Sequence, residues 1–191
     1  MPQSLVPADS IWTWKQADGS SLEVAWQCHA DTPGHEQKSS VPAVVLVHGF
    51  GASGNHWRHN LPVLGKYTRT YALDLIGFGD SSQPQALLPG EQPGFDQSKS
   101  SQALVYSFDL WGQQVSDFCN AIVQGPVLLV GNSIGGVVAL RAAQLLEDRC
   151  KGVVLIDCAQ RLMDDKQLAT QTAWMARIRP LLKTLVSQRW L

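Results

Sequence analysis

Three short runs in this chain are apolar at every position: Ala43–Val47 (AVVLV), Val127–Val130 (VLLV) and Val153–Ile156 (VVLI). A strand that alternates apolar and polar residues has one dry face, whereas a strand apolar throughout must be covered on both. The chain is therefore constrained to a mainly parallel sheet with helices on both faces, an α/β architecture. The intervening segments agree with this. Ser107 reads as a helix N-cap with Asp109 in the first turn. Trp111, Val115, Phe118 and Ile122 then form one stripe at helical spacing, ended by Gly125-Pro126. Val137–Leu146 reads as a second helix, and Trp57–Leu64 as a short one interrupted by Pro62. Ile11–Lys15 and Leu22–Cys28 alternate around Asp18-Gly19-Ser20, which predicts a hairpin. Thr68–Leu75 predicts a further strand, and residues 31–42 and Gly77–Ser101 predict loops. Trp174, Ile178, Leu181 and Leu185 make a last helical stripe containing Pro180.

Composition narrows the function. In 191 residues, 45% are hydrophobic and the formal net charge is -1, so the chain has a core and lacks a nucleic-acid footprint. The denser basic residues Arg177, Arg179, Lys183 and Arg189 read as a solvated helix face. No run is apolar for the roughly 18 residues of a membrane span. The start MPQSLVPADS carries no secretory or transit pattern, so the expectation is a cytoplasmic protein, or a stromal one if the source has plastids. Cys28, Cys119, Cys150 and Cys158 have no metal-ligand spacing and are expected as idle thiols; no metal is expected.

Chemistry enters with VLLVGNSIGG, residues 127–136, which places G-x-S-x-G between a buried strand and a helix. A serine there sits on a strained turn with its hydroxyl lifted out of the sheet, and glycines at both flanks let strand and helix close around it. Ser133 is the candidate nucleophile. The N–H of Ile134, at the helix N-terminus, is a candidate oxyanion donor. A second donor must come from the loop after an earlier strand, and the N–H of Phe50 in His48-Gly49-Phe50-Gly51 is correctly placed.

That same loop admits another reading. GFGASG, residues 49–54, matches G-x-G-x-x-G, and Asp74 follows at the offset a ribose-binding acid would take. However, a dinucleotide loop usually follows the first strand of its domain, and here two strands come first. Asn55-His56-Trp57-Arg58 is also too bulky for the close helix packing the third glycine serves. No cofactor is expected, and Asp74 is expected to anchor its own loop.

HGFGASGNHW, the run ALDLIGFGDSS (72–82) and GNSIGG, in this order and spacing, resemble the α/β-hydrolase superfamily from about residue 11 onward. Within it, YSFDLWGQQVSDF followed by GPVLLVGNSIGG is similar to cyanobacterial and plastid members of the pheophytinase and chlorophyll-dephytylase kind. The resemblance implies a sheet of eight strands, of which about six are counted here. The core would run over residues 1–160, with the beginning of a helical lid over 161–191. It further implies a serine hydrolase cleaving the carboxylic ester of an apolar small molecule through an acyl-enzyme.

In that superfamily the triad order is Ser, then acid, then His. His29, His35, His48, His56 and His59 all precede Ser133. His48 is expected to be structural. Asp157, at the end of VVLID, is a candidate acid that some relatives, among them some dehalogenases, use; Asp164 and Asp165 read as solvated lid residues. The expectation is an N-terminal part of a longer hydrolase. Its histidine would lie beyond Leu191, the last strand would be left as an exposed edge, and the chain alone would be inactive and poorly soluble. Dehalogenase or epoxide-hydrolase chemistry needs a carboxylate where Ser133 stands. The remaining alternative is a non-catalytic binding or regulatory fragment of the same fold.

Overall fold

The computed structural model describes residues 10–16, 18–30, 41–87 and 103–158. All of them belong to one compact unit, Met1–Ala159; the second unit, Gln160–Leu191, lies outside them. The expected lid stripe, with Asp164, Asp165 and the basic C-terminal residues, falls in that second unit, and most of the two expected loops also lies outside the described residues.

Six strands form one sheet: β1 (Ser10–Lys15), β2 (Ser21–His29), β3 (Ala43–Val47), β4 (Thr70–Leu73), β5 (Val127–Asn132) and β6 (Cys150–Ile156), in the spatial order β1-β2-β4-β3-β5-β6. β1 and β2 are the expected antiparallel hairpin, β2 runs antiparallel to β4, and β4, β3, β5 and β6 are mutually parallel. The chain leaves β3 toward one side for β4 and returns past it for β5. Right-handed crossovers in opposite directions put their helices on opposite faces. α1 (Leu61–Leu64) lies on one face; α2 (Phe108–Phe118) and α3 (Ile134–Leu146) pack together on the other.

That arrangement explains the runs apolar throughout. In β3, Val45 and Val47 join the larger core with Tyr71, Leu73, Val115, Phe118, Leu129 and Val138. Val44 and Leu46 turn to the smaller core with Trp57, Leu61 and Ala72. Burying each such side chain contributes about 1.5–3 kcal/mol. Phe118 is the hub of the larger core, with edge-on ring contacts to Trp12, Trp26 and Tyr71 at 5.6–6.0 Å.

Three elements differ from expectation. The helix read over Trp57–Leu64 is a 3-10 turn, Gly54–Trp57, followed by the single turn of α1 with Pro62 in its first turn, where a missing N–H costs nothing. α3 begins at Ile134 rather than Val137, because the glycines after Ser133 are helical. The stripe residue Ile122 lies not on α2 but in a π-helical turn, Cys119–Val123, that widens its end. Two buried or half-buried guanidinium groups serve that turn: Arg69 donates to the Val123 carbonyl at 3.1 Å, and Arg149 to those of Cys119 and Gly125 at 3.1 and 2.9 Å.

Candidate active site

Ser107 and Ser133 both stand at helix N-caps, and they are used oppositely. Ser107 is extended and its hydroxyl accepts from the Leu110 N–H at 3.1 Å, the ordinary cap. Ser133 has φ 54° and ψ −121°, and its hydroxyl makes no cap hydrogen bond. A non-glycine residue held at that φ is strained, and such strain persists only where the surroundings fix it. The fixing groups are its neighbours. The Ser133 N–H donates to the Ile156 carbonyl on β6 at 2.9 Å, and its carbonyl accepts from Gly136 N–H at 3.0 Å. A Cβ on Gly131 would strike the backbone of Gly135 and Gly136, and one on Gly135 would strike the carbonyls of Val47 and His48. Both positions must be glycine for β5, α3 and the end of β3 to close around the serine.

The end of β3 meets the same point. The Cβ position of Gly49 lies 3.2 Å from the Ser133 Cβ and 3.3 Å from the Asn132 carbonyl. The Gly49 carbonyl accepts from Ala52 N–H at 3.3 Å and from the His48 Nδ1–H at 2.8 Å. In a planar trans peptide the N–H points opposite to the C=O, so pinning this carbonyl also fixes the direction of the Phe50 N–H. The expected residues Gly49, Phe50, Ser133 and Ile134 are thus brought to one edge of the sheet. It is the edge at the C-terminal ends of the parallel strands where the strand order reverses, the usual ligand position in such folds.

His48 and Asp74 hold this loop by reciprocal reaches. His48, fully buried, accepts the Leu75 N–H at its Nε2, 3.0 Å away, from the loop after β4. Asp74, from the end of β4, accepts the Gly54 N–H at 2.5 Å and the Asp80 N–H at 2.8 Å. The carboxylate at the ribose offset therefore ties down the third glycine of GFGASG itself. Accepting at Nε2 and donating from Nδ1 fixes one neutral tautomer of His48. Burial holds its pKa below the ordinary histidine range, against the opposing effects of the Gly49 carbonyl and Asp74. Gln114, fully buried on α2, completes the brace by accepting from Ile76 N–H and donating to the Asp74 carbonyl, both at 3.0 Å. Sequence reasoning missed Gln114; its signal was a polar residue three positions after Trp111, on the apolar side of the helix.

The other candidates lie apart. Asp157 is exposed just past β6, with φ 45°. His56 is exposed, its Nε2 3.3 Å from the Asn132 side-chain amide, on the residue preceding Ser133. Burial pushes the thiols of Cys28 and Cys119 up to about 11 and about 12, which keeps them un-ionised and weakly nucleophilic. Among the described residues no group of three metal-ligating side chains comes together, and no helix is long and apolar enough to cross a membrane.

A family profile described as alpha/beta hydrolase fold matches residues 42–189. The chain belongs to the α/β-hydrolase family. Among relatives of this chain, the chloroplastic pheophytinase of Arabidopsis thaliana is 35% identical over 135 residues, covering 61% of the chain and 27% of the relative. The (lyso)-N-acylphosphatidylethanolamine lipase of Mus musculus is 27% identical over 150 residues, covering 77% of the chain and 40% of the relative. In structure, a thermophilic esterase from Thermogutta terrifontis superposes with a TM-score of 0.62 at 24% identity, over 90% of the chain and 53% of the esterase. The chain thus spans about a quarter to a half of the length of these proteins.

Proposed function

We propose that the protein is a serine hydrolase that cleaves a carboxylic ester of an apolar small molecule. The observation that carries this reading is Ser133 held at φ 54° with its hydroxyl released from capping α3. The esterase and lipase among the relatives support the ester as the bond. In this reading the Ser133 Oγ attacks the carbonyl carbon and its proton passes to a histidine. The N–H groups of Phe50 and Ile134 receive the oxyanion. The alcohol leaves with that proton, and water then hydrolyses the acyl-enzyme. None of the five histidines of this chain follows Ser133. We place the base, and with it the principal acid, beyond Leu191 in a longer protein, with Asp157 as the candidate acid this chain holds.

A fluorophosphonate probe on the full-length protein tests the proposal. Covalent labelling that disappears in Ser133→Ala supports it. Labelling that survives the substitution sinks it. Failure of the wild type to label would favour the second reading, a non-catalytic member of the same fold, which the position of every histidine before Ser133 favours.

A further inference from the structure

The strands β3, β4 and β5 are parallel, so the segments that follow them share one edge of the sheet. α2 must return along the sheet before β5, so it starts at that same edge. The aromatic residues of these segments form a connected series there. Phe50, beside the Gly49–Ser133 contact, is 77% exposed and meets Phe78 edge-on at 5.4 Å. Phe78 meets Trp111 at 5.8 Å, and Trp111 meets Phe108, itself 44% exposed, at 6.1 Å. Tyr106 closes the side of the series, 6.1 Å from Trp111, with its hydroxyl donating to the Pro84 carbonyl at 2.7 Å. Trp111 is pinned from below by its Nε1–H bond to the Ile76 carbonyl at 2.9 Å.

Phe50 and Phe108 are exposed, Phe78 between them is half-buried, and Trp111, 8% exposed, backs the series, so supported apolar rings reach the surface as a run, an aromatic wall, rather than singly. The run begins at Phe50, next to the Gly49 that packs on Ser133, and this adjacency points to an occupant that is part of the molecule Ser133 attacks. We propose that Phe50, Phe78 and Phe108, with the buried Trp111 as their backing, are specificity-determining residues that seat an elongated apolar chain of the ester, running from the scissile carbonyl toward the start of α2. The proposal rests on the ester-hydrolase reading of Ser133 and adds the direction and extent of the apolar subsite.

The test uses the full-length protein and two ester series, p-nitrophenyl alkanoates and n-alkyl acetates, each with an alkyl chain lengthened two carbons at a time. A methylene laid on such a wall adds up to about fourfold in kcat/KM. In one of the two series kcat/KM should climb at up to that factor per methylene and level off once the chain passes Phe108. Phe108→Ser should shorten the climb, and Phe78→Ala should flatten the long-to-short ratio by about tenfold or more. A ratio within one series is insensitive to the fraction of enzyme that folds. Flat profiles in both series for a wild type that the fluorophosphonate labels at Ser133 would overturn the wall while leaving the hydrolase standing; in that case the rings are covered by the chain itself. A climb left unaltered by both substitutions would overturn the wall in the same way. Loss of labelling would instead remove the underlying reading.

Discussion

Ser133 and His48 are both held in a state their type does not favour in isolation. At φ 54° and ψ −121°, Ser133 stores strain of roughly 1–3 kcal/mol that any residue with a Cβ shares and glycine does not. Ser133→Gly should therefore be more stable than Ser133→Ala by about 1 kcal/mol or more, read from urea midpoints, although both lose the nucleophile. Equal midpoints would mean the turn is not strained. His48 carries the opposite constraint, a proton it must not take up. Its pKa is depressed in the fold, so above about pH 6.5, the ordinary histidine value, its contribution to stability is complete. As pH falls below that value the unfolded chain binds the proton first, and stability declines until the folded-state pKa is passed. Asp74 and His56 are the charged or titratable neighbours that act on it, the first raising and the second lowering its pKa. Denaturation midpoints between pH 7 and 5 should fall, and the His48 imidazole should titrate below 6.5 by NMR. A midpoint independent of pH over this range would show that His48 is not the linked group.

At the scale of elements, one ring ties three strands of the sheet to α2. Phe118 on α2 touches Trp12 of β1, Trp26 of β2 and Tyr71 of β4, and is fully buried. Phe118→Ala leaves a cavity among three aromatic residues and should cost about 3–5 kcal/mol in denaturant unfolding; a cost under about 1 kcal/mol would mean the layer collapses to fill it. Strand identity was readable from composition, since short β-branched apolar runs bounded by turn residues favour strands; the covering on both faces that such runs imply holds for β3 and not, among the described residues, for β6. β3 came out at the expected Ala43–Val47. The helix stripe was readable for the same periodic reason, with Trp111, Val115 and Phe118 all buried. The π-helical turn at Cys119–Val123 was not. It is held by Arg69 and Arg149, and Arg69 lies 50 residues away from Cys119 in the sequence, so no local pattern announces it.

For the whole molecule, the sheet ends at β1 on one side and at β6 on the other among the described residues. β6 ends the strand order, and its Val154, Leu155 and Ile156 are 51%, 44% and 40% exposed. An exposed apolar strand with unpaired backbone groups is a template for association. The 191-residue chain should therefore self-associate with rising concentration in light scattering, and Val154→Lys should reduce it. A wild-type chain that stays monomeric at high concentration would contradict the edge as described.

The sequence by itself determined the α/β layering, the strand runs and the serine between Gly131 and Gly135. All of these are local: periodicity and a Gly-x-Ser-x-Gly turn are decided within a few residues. It also left GFGASG with two readings, since glycines that expose backbone N–H groups suit a phosphate and an oxyanion alike. Only the tertiary structure decided what Asp74 does, because it joins Asp80 of its own loop to Gly54, which is brought to it by β4 lying beside β3. The aromatic wall from Phe50 to Phe108 is likewise invisible along the chain. Its rings come from three separate segments, and they meet because parallel strands deliver their C-terminal ends to one edge.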